Sequence, residues 1–198
     1  MYEFIEGVII ELTPTYAVVQ TGGIGYFVHI SLHTYTQLVN APKAANGLQK
    51  LYIYQVVRED ALLLFGFFST REREIFRLLI TVSGIGANTG RMILSSMNPG
   101  ELQKAIADGN VNILKGVKGI GLKTAQRIIL DLKDKIGMEG LTSENFLTAN
   151  NTIKEEALSA LVTLGFSKSI VEKMLDKQLG IKPDVTVEEL IKQTLRNI

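Results

Sequence analysis

Ser83-Gly84-Ile85-Gly86-Ala87-Asn88-Thr89-Gly90 and Lys118-Gly119-Ile120-Gly121-Leu122-Lys123-Thr124-Ala125 are two versions of one phrase, 35 residues apart. Each follows an apolar run and opens a further apolar-periodic segment, so each reads as helix, Gly-apolar-Gly turn, helix. A single Gly-x-Gly turn is a common tight connection and says little. Two copies in the same context are seldom accidental.

The turns suit an anion. Glycine tolerates positive φ and carries no Cβ, so the backbone turns sharply and can approach a ligand closely. The helix that follows presents unpaired N–H groups and the positive end of its dipole. Ile85 and Ile120 are expected to point inward and pin each turn to the core. Such a site holds phosphate without reading bases, which is the logic of a helix-hairpin-helix. Cations crowd the second copy: Lys115, Lys118, Lys123, Arg127, Lys133 and Lys135 stand against Asp131 and Asp134. The first copy is poorer, with Asn88 and Thr89 at its helix start and Arg91 nearby.

Outward from the turns, the middle of the chain is helical. Arg71 to Val82 places Ile75, Leu78, Leu79 and Val82 on one face, and Ala87 to Met97 follows the first turn. Asn98-Pro99 starts a helix that Asp108-Gly109 ends. Val111 to Gly116 is a short helix, and Leu122 to Ile136 carries an apolar stripe from Ala125 to Ile136. Before this region, Phe4 to Leu12, Tyr16 to Gln20, Gly25 to Ile30, Leu51 to Val57 and Leu62 to Phe67 read as strands. Ser31 to Val39 is a short helix or loop. Five short strands in under 70 residues suggest an OB-fold barrel. Residues 138–151, rich in Gly, Ser, Thr and Asn, read as a flexible linker. Ile153 to Leu164, Ser169 to Leu179 and Val187 to Leu195 then form three helices, the last with a Thr186/Glu189 capping box. The expected architecture is α+β and multidomain: a barrel over 1–69, a tandem hairpin domain over 70–137, the linker, and a small helical domain over 152–198. A domain of that last size on a tether suits interaction better than catalysis.

The formal net charge of +1 conceals an uneven distribution. Residues 1–69 sum to −2, residues 70–137 to +5, residues 138–150 to −2, and residues 151–198 balance 7 cations against 7 anions. Positive charge therefore gathers where the two turns lie, as a phosphate-binding surface requires. The 198-residue chain has no cysteine, which excludes disulfides, zinc fingers and thiol chemistry. It shows neither a signal-peptide start nor an apolar run of the ~20 residues that a membrane span needs. The cytosol is the expected compartment.

Further stretches carry a family resemblance. Gly22-Gly23-Ile24-Gly25-Tyr26, Val56-Val57-Arg58-Glu59-Asp60-Ala61, Leu64-Phe65-Gly66-Phe67, both glycine turns, Lys123-Thr124-Ala125-Gln126-Arg127 and Leu161-Val162-Thr163-Leu164-Gly165-Phe166 resemble the RuvA family over essentially the whole chain. The resemblance implies a non-catalytic homotetramer, with an octamer on DNA as the alternative assembly. That assembly would hold a four-way (Holliday) junction open and planar in recombinational DNA repair. It further implies a separate hexameric ATPase, RuvB, as motor, RuvC resolvase as a further partner, a bacterial cytoplasmic setting, a three-helix (UBA-like) C-terminal domain, and no metal or cofactor.

The resemblance also assigns roles. Gly84, Gly86, Asn88, Arg91, Lys118, Gly119, Gly121, Lys123, Thr124 and Arg127 are the expected phosphate contacts. Glu59 and Asp60, at the tip of a hairpin, become an acidic pin beside the DNA-facing Arg58. By themselves they read as a solvated turn; as four copies at a crossover they would repel phosphates and disfavour unbranched duplex. Leu161, Leu164, Phe166 and Leu195, which helical spacing alone would place in a core, become the surface for RuvB. The chain departs from the family where Asn88 and Leu122 replace common lysines and Lys118 replaces a proline. That shifts phosphate binding toward Lys118 or the backbone amides.

Two other functional classes are weaker. A helix-hairpin-helix glycosylase or nuclease wants an acid or lysine beside a base pocket, yet Asp131 lies on the helix beside Lys133. His29 and His33 fall near the barrel, where structural roles are the expectation. A P-loop pattern is missing, so ATP hydrolysis by this chain is not expected. A single-strand binder would need aromatics in a basic groove, whereas residues 1–69 are net negative.

Overall fold

The computed structural model describes residues 1–42, 47–139, 149–181 and 185–197. They fall into two compact units, Met1–Met138 and Glu139–Ile198.

In the first unit, β1 (Phe4–Leu12), β2 (Tyr16–Thr21), β3 (Ile24–Ile30), β4 (Leu48–Val57) and β5 (Leu62–Phe67) close a barrel in the order β1-β2-β3-β5-β4. All neighbours are antiparallel except β3 and β5. α1 (Leu32–Asn40) bridges β3 to β4, capped by the Ser31 hydroxyl, which accepts from the Thr34 N–H. This is the expected OB-type barrel. Alternation along each strand fills its interior with Ile5, Ala17, Val19, Val28, Leu51 and Ile53. Gly66 faces that interior, where an added Cβ would lie 2.5 Å from Val28 Cγ1. No larger residue fits there without displacing the wall.

The opposite face of β4 and β5 is also covered. α2 (Thr70–Thr81) lays Phe76 against Tyr54, Phe65 and Phe67, with ring centroids 4.8–5.5 Å apart. Phe65 and Phe67 belong to one continuous core with Ile75, Leu79, Leu94, Leu102 and Ile128. The barrel interior and the helices form two separate clusters, and β5 contributes to both: Leu64 packs on the first, while Phe65 and Phe67 belong to the second. Around α2 follow α3 (Ala87–Ser96), α4 (Pro99–Ala107), α5 (Val111–Lys115) and α6 (Leu122–Glu139). Asn98 and Glu101 form a reciprocal capping box at α4.

Polar struts reinforce this packing. Arg73 on α2 donates to the Glu3 carbonyl at 2.8 Å and to its carboxylate at 2.5 Å. That guanidinium holds the Glu3 carboxyl below the usual carboxylate range. The Leu32 N–H donates to Ser95 Oγ on α3.

The second unit packs α7 (Ala149–Thr163), α8 (Lys168–Ile181) and α9 (Val187–Asn197) around Ala157, Leu161, Val171, Leu175, Val185 and Leu190. Gly165 ends α7 with φ +97°. Helix extends into both ends of the expected linker, since α6 reaches Glu139 and α7 begins at Ala149. Gly137 costs a helix only about 1 kcal/mol relative to alanine, too little to stop it. The rest of that linker lies outside the described residues. Among the described residues, no helix is long and apolar enough to cross a membrane.

Candidate nucleic-acid interface

The two glycine phrases fold into the same local structure. In the first, the Val82 N–H reaches the Leu79 carbonyl, the Ile85 N–H reaches Val82, and the Gly90 N–H opens α3 on Gly86. In the second, Val117 reaches Leu114, Ile120 reaches Val117, and Ala125 opens α6 on Gly121. Corresponding distances agree within 0.1 Å, at 2.9–3.2 Å. Gly84 and Gly119 take φ of +92° and +87° at the third position of each turn, as type II geometry demands. Val82, Ile85, Val117 and Ile120 are buried, so apolar side chains on either side of each glycine anchor the turn. The inward direction expected for both isoleucines is the one observed. Gly90 and Ala125 also correspond; a Cβ on Gly90 would sit 3.2 Å from Phe76.

Both tips are open. An added Cβ at Gly84, Gly86, Gly119 or Gly121 would meet nothing within 4 Å. Gly86 caps α3 without a side-chain hydrogen bond, leaving the first-turn amides to a ligand. The structure sets the first turn beside α6, the helix that the second turn opens. Ser83 and Gly84 of the first line a 490 Å³ concavity with Lys123, Thr124, Gln126, Arg127 and Leu130 of α6. Arg127 Nη1 lies 3.5 Å from the Ser83 carbonyl, so α6 touches the first turn directly. Lys118, Lys123 and Arg127 are exposed, as is Asn88. Nothing in the spacing of the sequence predicts the Ser83 contact or Leu130 as part of the lining, because both depend on how α6 crosses the first turn.

Arg91, expected to contact phosphate, is also tied to the barrel. Its Nη1 donates to the Thr15 carbonyl at 2.8 Å, joining α3 to the β1–β2 turn. Partial burial lowers its pKa, and its charge helps hold His29 below the usual imidazole value, behind the larger effect of burial. It acts as a strut between helices and barrel. His29 packs between Phe27 and Phe65, consistent with a structural role.

Arg58, Glu59 and Asp60 are exposed at the tip of the β4–β5 hairpin, which the Arg58 N–H closes on the Ala61 carbonyl at 2.9 Å. Val56 and Leu63 pair across the hairpin and pack on the helical core. Beyond them the Val57–Leu62 pair is largely exposed. The tip thus stands about 10 Å past its last anchored pair at the usual strand rise. Among the described residues, no group of three His, Asp or Glu side chains is placed to hold a metal.

In the second unit Leu161 is wholly buried and Phe166 is half-buried against the same core. Leu161 is therefore a packing residue and not a partner contact. α7 turns it into the buried cluster of Ala157, Val171, Leu175 and Leu190. Leu164, at 63% exposure, and Leu195, at 41%, do reach the surface.

Comparison with known proteins follows this division. The family model described as RuvA N terminal domain matches residues 1–66, that for a SAM-like helix-hairpin-helix tandem matches 76–134, and that for the RuvA C-terminal domain matches 152–198. The chain is 47% identical over 206 residues to a protein of Bacteroides thetaiotaomicron, covering all of both chains. It is 46% identical over 198 residues to one of Christiangramia forsetii, again over both full lengths. It is 49% identical over 199 residues to one of Parabacteroides distasonis, covering 99% of each. All three bear the name Holliday junction branch migration complex subunit RuvA. With domain matches in this order and identity sustained from end to end, this chain belongs to the RuvA family.

Proposed function

We propose that this chain is a non-catalytic scaffold of a branch-migration complex. Four copies bind a four-way DNA junction in the bacterial cytoplasm and hold it open and planar. The chain then loads and regulates RuvB, which supplies ATP hydrolysis, and RuvC acts on the same junction. The observation that carries this reading is the first glycine turn lining one concavity with Lys123 and Arg127 of α6, the helix that the equivalent second turn opens. Two helix starts behind open glycine turns, with cations nearby, suit successive phosphates of a duplex arm and demand no base contact.

The packing of the β4–β5 hairpin base, Val56 and Leu63, on the helical core supports the pin, and Glu59 and Asp60 project from that base. At the centre of a tetramer their charge would repel a continuous backbone and leave room only at a crossover. Leu164 and Leu195, with the edge of Phe166, offer the exposed apolar surface for the motor. A gel-shift competition tests the reading: a four-way junction should outcompete a duplex of equal length, and Glu59→Gln with Asp60→Asn should raise duplex affinity. Equal affinity of the unaltered chain for both DNAs would reject the scaffold.

A further inference from the structure

Glu72 is wholly buried at the start of α2, where burial favours the protonated form of its carboxyl and its hydrogen bonds oppose that shift. Its Oε1 accepts from Ser31 Oγ at 2.5 Å and its Oε2 from Thr34 Oγ1 at 2.7 Å. The Phe68 N–H is shared between Oε2, at 3.3 Å, and Thr34 Oγ1, at 3.2 Å. Ser31 Oγ in turn accepts the Thr34 N–H, while the Glu72 N–H donates to Ser69 Oγ. Two helix starts, α1 and α2, therefore converge on one carboxylate. Any positive charge on His33 of α1 favours the ionised form of this carboxyl.

A buried carboxylate is an inefficient source of stability, because well-packed apolar residues would serve as well. It does supply direction: two oxygens accept only from donors at fixed places. Here those donors are Ser31 and Thr34 at the start of α1 and the Phe68 N–H just after β5, while the carboxylate itself belongs to α2, the helix that leads into the first glycine turn. A rotation of α2 by 5° about this point would move residues about 14 Å away, the expected radius of gyration of such a unit, by about 1 Å.

We infer that Glu72 is a positioning residue that sets the orientation of the phosphate-binding turns relative to the acidic hairpin and so sets the preference for branched over linear DNA. This inference rests on the scaffold reading above. It touches no DNA itself.

The test uses the full chain with Glu72→Gln, which keeps the shape but turns an amide N–H₂ toward donors. Thr34→Val, which removes one donor and leaves the Ser31 cap intact, is the second variant. Affinities for a four-way junction and for duplex are measured at one salt concentration, with thermal melting to give the folded fraction. The expected result is duplex affinity within twofold of the unaltered chain and a junction preference reduced by about two- to thirtyfold, the span typical of residues that tune coupling without touching ligand. Thr34→Val should move the ratio the same way by less. A merely structural Glu72 would lower both affinities together, so an unchanged ratio in the folded variants overturns the proposal. If Glu72→Gln does not fold, the ratio for Thr34→Val decides. No preference in the unaltered chain would instead remove the scaffold reading, and this inference with it.

Discussion

Alanine at Gly119 and alanine at Gly121 should separate folding from binding. Neither added methyl meets an atom within 4 Å, so steric overlap contributes nothing at either site. Backbone conformation then decides. Gly119 sits at φ +87°, where an L side chain costs roughly 1–2 kcal/mol. For a unit of this size that corresponds to a melting temperature lower by about 3–8 °C. It remains a minor part of a typical stability of about 5–15 kcal/mol, so the variant stays folded. Gly121 has no positive φ. Alanine there loses some capping preference but reduces unfolded-state entropy, worth about 0.4–1 kcal/mol, and the two effects nearly cancel. Its methyl nevertheless occupies the space at the start of α6 where a phosphate would approach the amides. Differential scanning calorimetry and junction binding should therefore diverge: Gly119→Ala melts lower, whereas Gly121→Ala melts like the parent yet binds at least tenfold more weakly. Equal melting of Gly119→Ala and parent would refute the turn argument, and parental binding by Gly121→Ala would refute amide contact.

Three other outcomes are expected. Replacing Lys123 and Arg127 together by alanine should reduce the slope of log affinity against log salt by about 0.9 for each phosphate that is no longer neutralised, read by fluorescence anisotropy across a salt series. His29, whose pKa is lowered in the folded chain, contributes stability that is complete above its ordinary value near 6.5 and is lost as pH falls through the folded pKa. Chemical denaturation at pH 7.5 and 5.5 should show that loss, and His29→Gln should diminish it. Leu164→Asp with Leu195→Asp should leave junction binding intact and abolish stimulation of RuvB ATPase activity, whereas Leu161→Asp should unfold the small domain.

Local features of the sequence determined much of this protein. Glycines that need positive φ, alternating strands, helical stripes and capping residues act over a few neighbours, so both turns, all five strands and the helices were legible from residue order. The matching depth of Ile85 and Ile120 was legible for the same reason. Tertiary packing decided the rest. Arg91 looks like a free cation until α3 places it against the Thr15 carbonyl. Leu161 and Leu164 share an apolar segment, but only the helix packing turns the first inward and leaves the second outside. The burial of Glu72 against Ser31 and Thr34 depends on a helix about forty residues earlier in the chain. That Phe65 and Phe67 of the barrel join the helical core, and that Ser83 meets Arg127, follows from how β5 and α6 cross their neighbours. Such contacts join residues far apart along the chain, and short-range periodicity carries no information about them.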